Sequence, residues 1–173
     1  LEKKKAAAAE GVEGEAPTLL LLKEGEGVEG EAPPTALSHS YFTYTGGSFY
    51  SNGGRLYPGE VLASKGVVVV TINYRLGPFG FLSTADGAAR GNWGLLDQRL
   101  ALLWVRRHAP SFGGSPTNLV LMGNSAGAAS VLLHLVSPLS KGLFSRAVAL
   151  SGVFTGALVT AEEALTLRRA PRY

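Results

Sequence analysis

A chain of 173 residues, 46% of them apolar, is long enough for one domain with a core of ordinary size. It has no cysteine, which excludes disulfides, thiol nucleophiles and Cys-ligated zinc, and its longest pure aliphatic runs (19–22 and 67–70) fall far short of the roughly 18 residues of a membrane span. The net charge of +3 is uneven: residues 1–35 carry 4 Lys against 8 Glu, the remainder 12 Lys and Arg against 5 Asp and Glu, scattered without a basic stripe of the kind a nucleic-acid partner requires.

The chain starts at Leu1 and its single methionine is Met122. It is therefore expected to be a fragment or a processed product, in which a signal peptide would not be visible. "EGVEGEAPT" at 10–18 returns as "EGVEGEAPPT" at 26–35. Two copies are too few for a solenoid, and Glu, Gly, Ala and Pro offer little to bury, so residues 1–36 read as a disordered acidic leader. The "TLLLL" between the copies is too short to assign.

From residue 40 an alternating pattern begins. "SYFTYT" (40–45) reads as a strand, and "PGEVLASKG" (58–66) as a short helix opened near Pro58 and stopped at Gly66. "VVVVTINY" (67–74) is a continuous β-branched run, the mark of a parallel strand buried on both faces. Residues 94–109 read as a helix with Leu95, Leu96, Leu100, Leu103 and Trp104 as its apolar spacing. "NLVLMG" (118–123) is a second buried strand, "GAASVLLHLV" (127–136) a helix, and "RAVALSG" (146–152) a third strand. Thr160 and Glu163 form a capping box for a last helix over 160–170. Strands alternating with helices predict an α/β fold with a mostly parallel sheet flanked by helices.

Gly123, Ser125 and Gly127 stand in the pattern Gly-x-Ser-x-Gly, between a buried strand and a helix. That context is the one a nucleophile elbow needs: a sharp turn, glycines where side chains would clash, and a serine lifted above the sheet. The alternative is a glycine-rich turn in which Ser125 merely caps the helix.

Several further blocks, "NYRLG", "GFLST", "GNWGLLDQ", "FGG", "GNSAGAAS", "SPLSKGLF" and a closing "SG", occur in order over about residues 40–154. Together they resemble the type-B carboxylesterases, the family that includes the cholinesterases. The resemblance implies a partial α/β-hydrolase fold over 37–155, followed by a divergent tail at 156–173. It implies hydrolysis of carboxylic esters through an acyl-enzyme, with Ser125 as nucleophile and the backbone N–H of Ala126 as an oxyanion donor. The family's His-Gly-Gly-Gly loop corresponds to "TGGSF" at 45–49. Gly46 and Gly47 match its glycines, Ser48 replaces the third, and Thr45 the histidine. Asn124 stands where many relatives carry glutamate, which points to a neutral or apolar ester rather than a cationic one. Arg75 and Asp97 read as a buried ion pair bracing the elbow rather than as catalytic residues, and Trp93 and Phe79 as packing residues rather than a substrate wall; the resemblance implies a secretory or endomembrane compartment. No metal and no organic cofactor is implied.

The family's acid and histidine lie further along than residue 173, so the resemblance implies a triad that this chain does not close and an isolated chain that is inactive. His39, His108 and His134 match no family histidine and read as ordinary helix or surface residues; Glu162 and Glu163 lie in the divergent tail. The competing expectation is a non-catalytic adhesion protein. Such relatives keep "NYRLG" and "FGG", and some resemble the "GGS" of the oxyanion loop, but they often lose the serine that is present here.

Overall fold

A computed structural model describes residues 19–22, 40–44, 47–51, 53–54 and 59–152. The rest of the acidic leader and the helix expected over 160–170 lie outside the described residues. The elements are β1 (Leu19–Leu22), β2 (Ser40–Tyr44), α1 (Glu60–Ala63), β3 (Val68–Ile72), α2 (Gly77–Phe81), α3 (Trp93–His108), β4 (Leu119–Asn124), α4 (Ala126–Val136) and β5 (Arg146–Leu150). Short 3₁₀ turns at Ala109–Phe112 and Pro138–Ser140 follow α3 and α4.

The sheet order is β1-β3-β2-β4-β5. Strands β2, β3, β4 and β5 are parallel to their neighbours, and β1 pairs antiparallel with β3, Leu19 opposite Ile72. The four leucines are thus a strand, within a leader whose composition predicts disorder. They have no alternation, but an apolar run of four can satisfy its backbone beside the equally apolar β3.

All five residues of β3 are buried. Val68, Val70 and Ile72 join Leu119 and Leu121 of β4 in a core shared with Leu102 and Val105 of α3 and Val131 of α4. Val69 instead packs on Ala63 of α1. Helices α3 and α4 therefore cover one face of the sheet and α1 the other. Burial on both faces explains why β3 tolerates no polar alternation.

The face of α3 differs in part from the expected one: Leu95 and Trp104 are half-buried, Trp104 against the core. Gly94, Gln98, Ala101, Leu102 and Val105 are buried, whereas Leu96, Leu100 and Leu103 are exposed by 45%, 59% and 37%. The helix is apolar on more than one side, so leucine spacing alone does not select the inner face. Small Gly94 and Ala101 let the backbone come close, and Gln98 enters the core because its amide finds partners there. Strand β5, at the sheet edge among the described residues, also leaves apolar surface exposed, at Val148 and Leu150.

Candidate active site

Neighbouring parallel strands deliver their following loops to the same end of a sheet. Here Tyr44 of β2 pairs with Gly123 of β4, and Asn124 of β4 with Leu150 of β5. The segments after β2, β4 and β5 thus emerge together at the carboxyl end, the edge where open α/β sheets hold their ligands.

Between the end of β4 at Asn124 and the start of α4 at Ala126 stands one residue, Ser125, with φ 53° and ψ −119°. A non-glycine residue in that region costs about 1–3 kcal/mol and persists only when its surroundings over-determine it. Those surroundings are specific. The Ser125 N–H donates to the Leu150 carbonyl at 2.9 Å, and the Ser125 carbonyl accepts from the Ala129 N–H at 3.0 Å. At Gly123 a Cβ would lie 2.2 Å from the Gly127 carbonyl oxygen, so α4 folds directly back over the end of β4. The Ser125 residue is exposed, and its side chain makes no capping hydrogen bond to α4. The alternative in which the serine serves as a side-chain cap is set aside by that geometry.

The same geometry sorts the backbone donors. The Ser125 N–H is already engaged by Leu150, so it is not available to a ligand. Ala126 opens α4, where N–H groups lack intrahelical partners. Across the sheet end, Gly47, Ser48 and Phe49 have φ values of 115°, 53° and 63°. Only at Gly47 is such a value free of Cβ cost. The turn closes through the Gly47 carbonyl, which accepts from Tyr50 N–H at 2.9 Å. It is anchored at Phe49, buried against Phe81 in an edge-to-face pair with centroids 5.0 Å apart, while Ser48 points to solvent. The Phe49 carbonyl also accepts from Gly77 N–H at 2.7 Å, tying this loop to the one after β3. Gly46, Thr45 and His39 lie outside the described residues, as do Glu162 and Glu163.

Behind the elbow lies a buried polar network that sequence reasoning missed. Ser130 Oγ donates to the Ala126 carbonyl at 3.0 Å and accepts from Gln98 Nε2 at 3.0 Å. Gln98 Oε1 faces His134 Nε2 at 3.0 Å, and His134 Nδ1 meets Ser140 Oγ at 2.7 Å. An amide oxygen can only accept, so Nε2 carries the proton and Ser140 donates to Nδ1. Burial, with Arg99 nearby, pushes the His134 pKa down to about 4. The Tyr74 hydroxyl bonds to Ser130 and Gln98, and burial raises its pKa to about 12. His134 is thus a neutral core residue with both ring nitrogens engaged, eight residues or roughly 12 Å down α4 from Ala126. A shallow cavity of about 130 Å³ beside it, lined by Arg99, Leu133 and Leu139, sits at that far end of the helix. The available signal was a glutamine at helical spacing from Ala101, Leu102 and Val105, with serine and histidine four residues apart on the next helix.

Two expectations need correction. Arg75 and Asp97 do form a forked pair, with Nε–Oδ2 and Nη2–Oδ1 both at 2.8 Å and the Arg75 N–H on Oδ2 at 3.1 Å. The pair is not buried: the Arg75 side chain is 53% exposed. It joins the end of β3 to α3 at the surface, because Asp97 faces outward one residue before the buried Gln98. Phe79 is not a packing residue either, being 83% exposed. In the single turn of α2, Phe81 takes the inward place and Phe79 faces away. Trp93 is half-buried. His108 lies against Trp104, ring centroids 4.5 Å apart.

The family model that matches this chain is that of the carboxylesterase family, over residues 42–171. Bile salt-activated lipase of Bos taurus is 54% identical over 109 residues, covering 62% of this chain and 18% of the lipase. Neuroligin-2 of Mus musculus is 51% identical over 108 residues, covering 62% of this chain and 13% of neuroligin-2. Among solved structures, PNB esterase superposes with a TM-score of 0.68 at 42% identity, over 79% of this chain and 29% of the esterase. The chain therefore spans less than a third of the length of these relatives. With the family model covering well over half of its residues and an α/β-hydrolase esterase fold superposing on its sheet, the chain belongs to the carboxylesterase family.

Proposed function

We propose that this chain carries the nucleophile half of a serine carboxylic ester hydrolase. The observation that supports it is the conformation of Ser125: a strained, exposed serine held at φ 53° by backbone bonds on both sides, with its hydroxyl spent on no cap. Strain of this kind is retained where presenting a side chain matters more than local stability. In the reaction the Ser125 Oγ attacks the ester carbonyl, and the oxyanion that develops is received by the N–H groups of Ala126, Gly47 and Gly46. The alcohol leaves, and water cleaves the acyl-serine. Each such donor is worth about 3–4 kcal/mol of transition-state stabilisation, so Ser48 in place of a third glycine is tolerable if two donors remain.

Taking the proton from Ser125 needs a base and an acid to orient it. His134 is locked in the network described above, His108 lies against Trp104, and neither they nor His39 match the family's histidine, so by the family resemblance we assign both roles to residues beyond Tyr173 in the complete protein. The isolated 173-residue chain is then inactive or nearly so. Asn124, half-buried beside the nucleophile and uncharged, favours a neutral or apolar ester.

The test uses the complete protein. Ser125→Ala should abolish hydrolysis of p-nitrophenyl butyrate and labelling by a fluorophosphonate, with unchanged thermal unfolding. Full turnover in the variant refutes the assignment, and turnover by the 173-residue chain at the complete protein's rate refutes the division of the triad. The similarity to neuroligin-2 and the Ser48 substitution are consistent with a second reading, a non-catalytic binding protein, without outweighing the first. That reading predicts no turnover even in the complete protein.

A further inference from the structure

The nucleophile's support does not end with the Gly-x-Ser-x-Gly turn. We infer that Gly152, just beyond β5, is a positioning residue for Ser125; the inference rests on the reading of Ser125 as nucleophile. Strand β5 and the corner after it touch the elbow twice. The strand's last carbonyl, that of Leu150, accepts the Ser125 N–H at 2.9 Å. The chain then turns at Ser151, whose φ is 54°, and lays Gly152 on the first turn of α4. A Cβ at residue 152 would stand 2.4 Å from the Cβ of Ala128, 2.9 Å from its carbonyl carbon and 3.1 Å from the Ala129 nitrogen. Residues 125 and 128 are one helical turn apart, so β5 and the corner after it grip the start of α4 by a hydrogen bond on one side and a bare backbone contact on the other.

That contact sets the height of the serine. Unstrained carbon atoms approach to about 3.5–4.0 Å, so a methyl at 152 must drive the two segments apart by more than 1 Å. Neither partner can absorb this in a side chain, because Ala128 is fully buried and the other atoms met are backbone. If α4 moves, the Ser125 hydroxyl and the Ala126 N–H move with it. If the corner after β5 moves, the Leu150 carbonyl leaves the Ser125 N–H, one of the two bonds that hold its unusual backbone. A displacement of about 1 Å at reacting groups costs on the order of 100-fold in rate.

The experiment compares four substitutions in the complete protein. Gly152→Ala should lower kcat about 100-fold while KM stays within about twofold, because geometry needed only in the transition state is lost. Adding Ala128→Gly to it removes the methyl that the new Cβ meets and should recover about tenfold, the residual loss coming from the helix backbone. Gly142→Ala controls for glycine replacement in general. Its φ is 74° and a Cβ there meets nothing within 4 Å, so it should cost stability and leave kcat alone. Ser125→Ala separates the two readings. If it leaves turnover intact, the nucleophile assignment falls. If it abolishes turnover while Gly152→Ala behaves like Gly142→Ala, the role of Gly152 falls and the nucleophile stands. Should Gly152→Ala fail to accumulate as folded protein, the double variant carries the test. Folded protein with kcat within about tenfold of wild type supports the role, since relief of the clash then restores the site; a double variant that is unfolded, or folded with a larger loss, overturns it.

Discussion

Lowering the pH should weaken the fold through His134 before the bulk of the carboxylates titrate. The side chain is 4% exposed, and burial brings its pKa from 6.5 to about 4. Between those two values the unfolded chain binds a proton at this residue and the folded chain does not. Stability therefore rises with pH across the window, is fully present above 6.5, and is lost as pH falls toward 4. The difference corresponds to about 3 kcal/mol at the acid end, with a slope approaching 1.4 kcal/mol per pH unit. That is a sizeable share of the 5–15 kcal/mol that typical domains possess. The hydrogen bonds alone do not set this cost. Protonated Nδ1 could donate to Ser140 Oγ after the hydroxyl rotates, so the loss comes from burying a charge with Arg99 nearby. Urea unfolding followed by fluorescence of Trp93 and Trp104 measures it across the window. His134→Gln keeps a donor for Gln98 and an acceptor for Ser140 but cannot titrate, so its stability should be flat where the wild type slopes. Parallel curves for the two proteins, or an NMR titration of His134 near 6.5, would refute the reasoning.

Two further comparisons test the packing. Arg75→Ala should cost at most about 1 kcal/mol and vary with salt, because the guanidinium is half in solvent. Asp97→Ala should cost more, about 1–3 kcal/mol, since it also strips the acceptor from the Arg75 N–H; chemical denaturation of both variants in low and high salt decides, and equal losses would contradict it. On α3, Leu102→Ala should cost about 2–5 kcal/mol as a fully buried residue. Leu100→Gln should change stability by less than about 0.5 kcal/mol and reduce aggregation of the chain, as measured by light scattering. The reverse ranking would restore the helix face expected from leucine spacing.

What was legible in the sequence is what local pattern controls. β3 could be read from five consecutive buried residues of high β propensity, and β4, α4 and β5 from apolar runs bounded by Gly123 and Pro138. The strand–turn–helix context of Ser125 needed only adjacent residues, because the elbow is built by Gly123 and Gly127 on either side of it. The inner face of α3 was not legible. Its leucines advertise a stripe, but the side that packs is chosen by Gly94 and Ala101, which allow close approach, and by Gln98, whose buried amide is satisfied by residues more than thirty positions away. β1 escaped for a related reason, since a four-leucine run becomes a strand only when β3 offers an unpaired edge.

The elbow itself divides in the same way. The strain at Ser125 follows from its immediate neighbours, but its persistence does not. Two of the groups that hold it, the Leu150 carbonyl and the bare backbone of Gly152, come from the end of β5 and the corner after it, more than twenty residues downstream, and act through their backbones. A further tie on α4, Ser130 to the Ala126 carbonyl, leads through Gln98 to His134. A short motif can therefore mark where a strained serine stands, while the energy that keeps it there is distributed over contacts that no motif contains. This is why the pH response of a histidine at the far end of α4 and the rate effect of a methyl beyond β5 converge on one helix. The two remain separable: the first acts on the global stability of the fold, the second on the placement of a hydroxyl within a fold that survives.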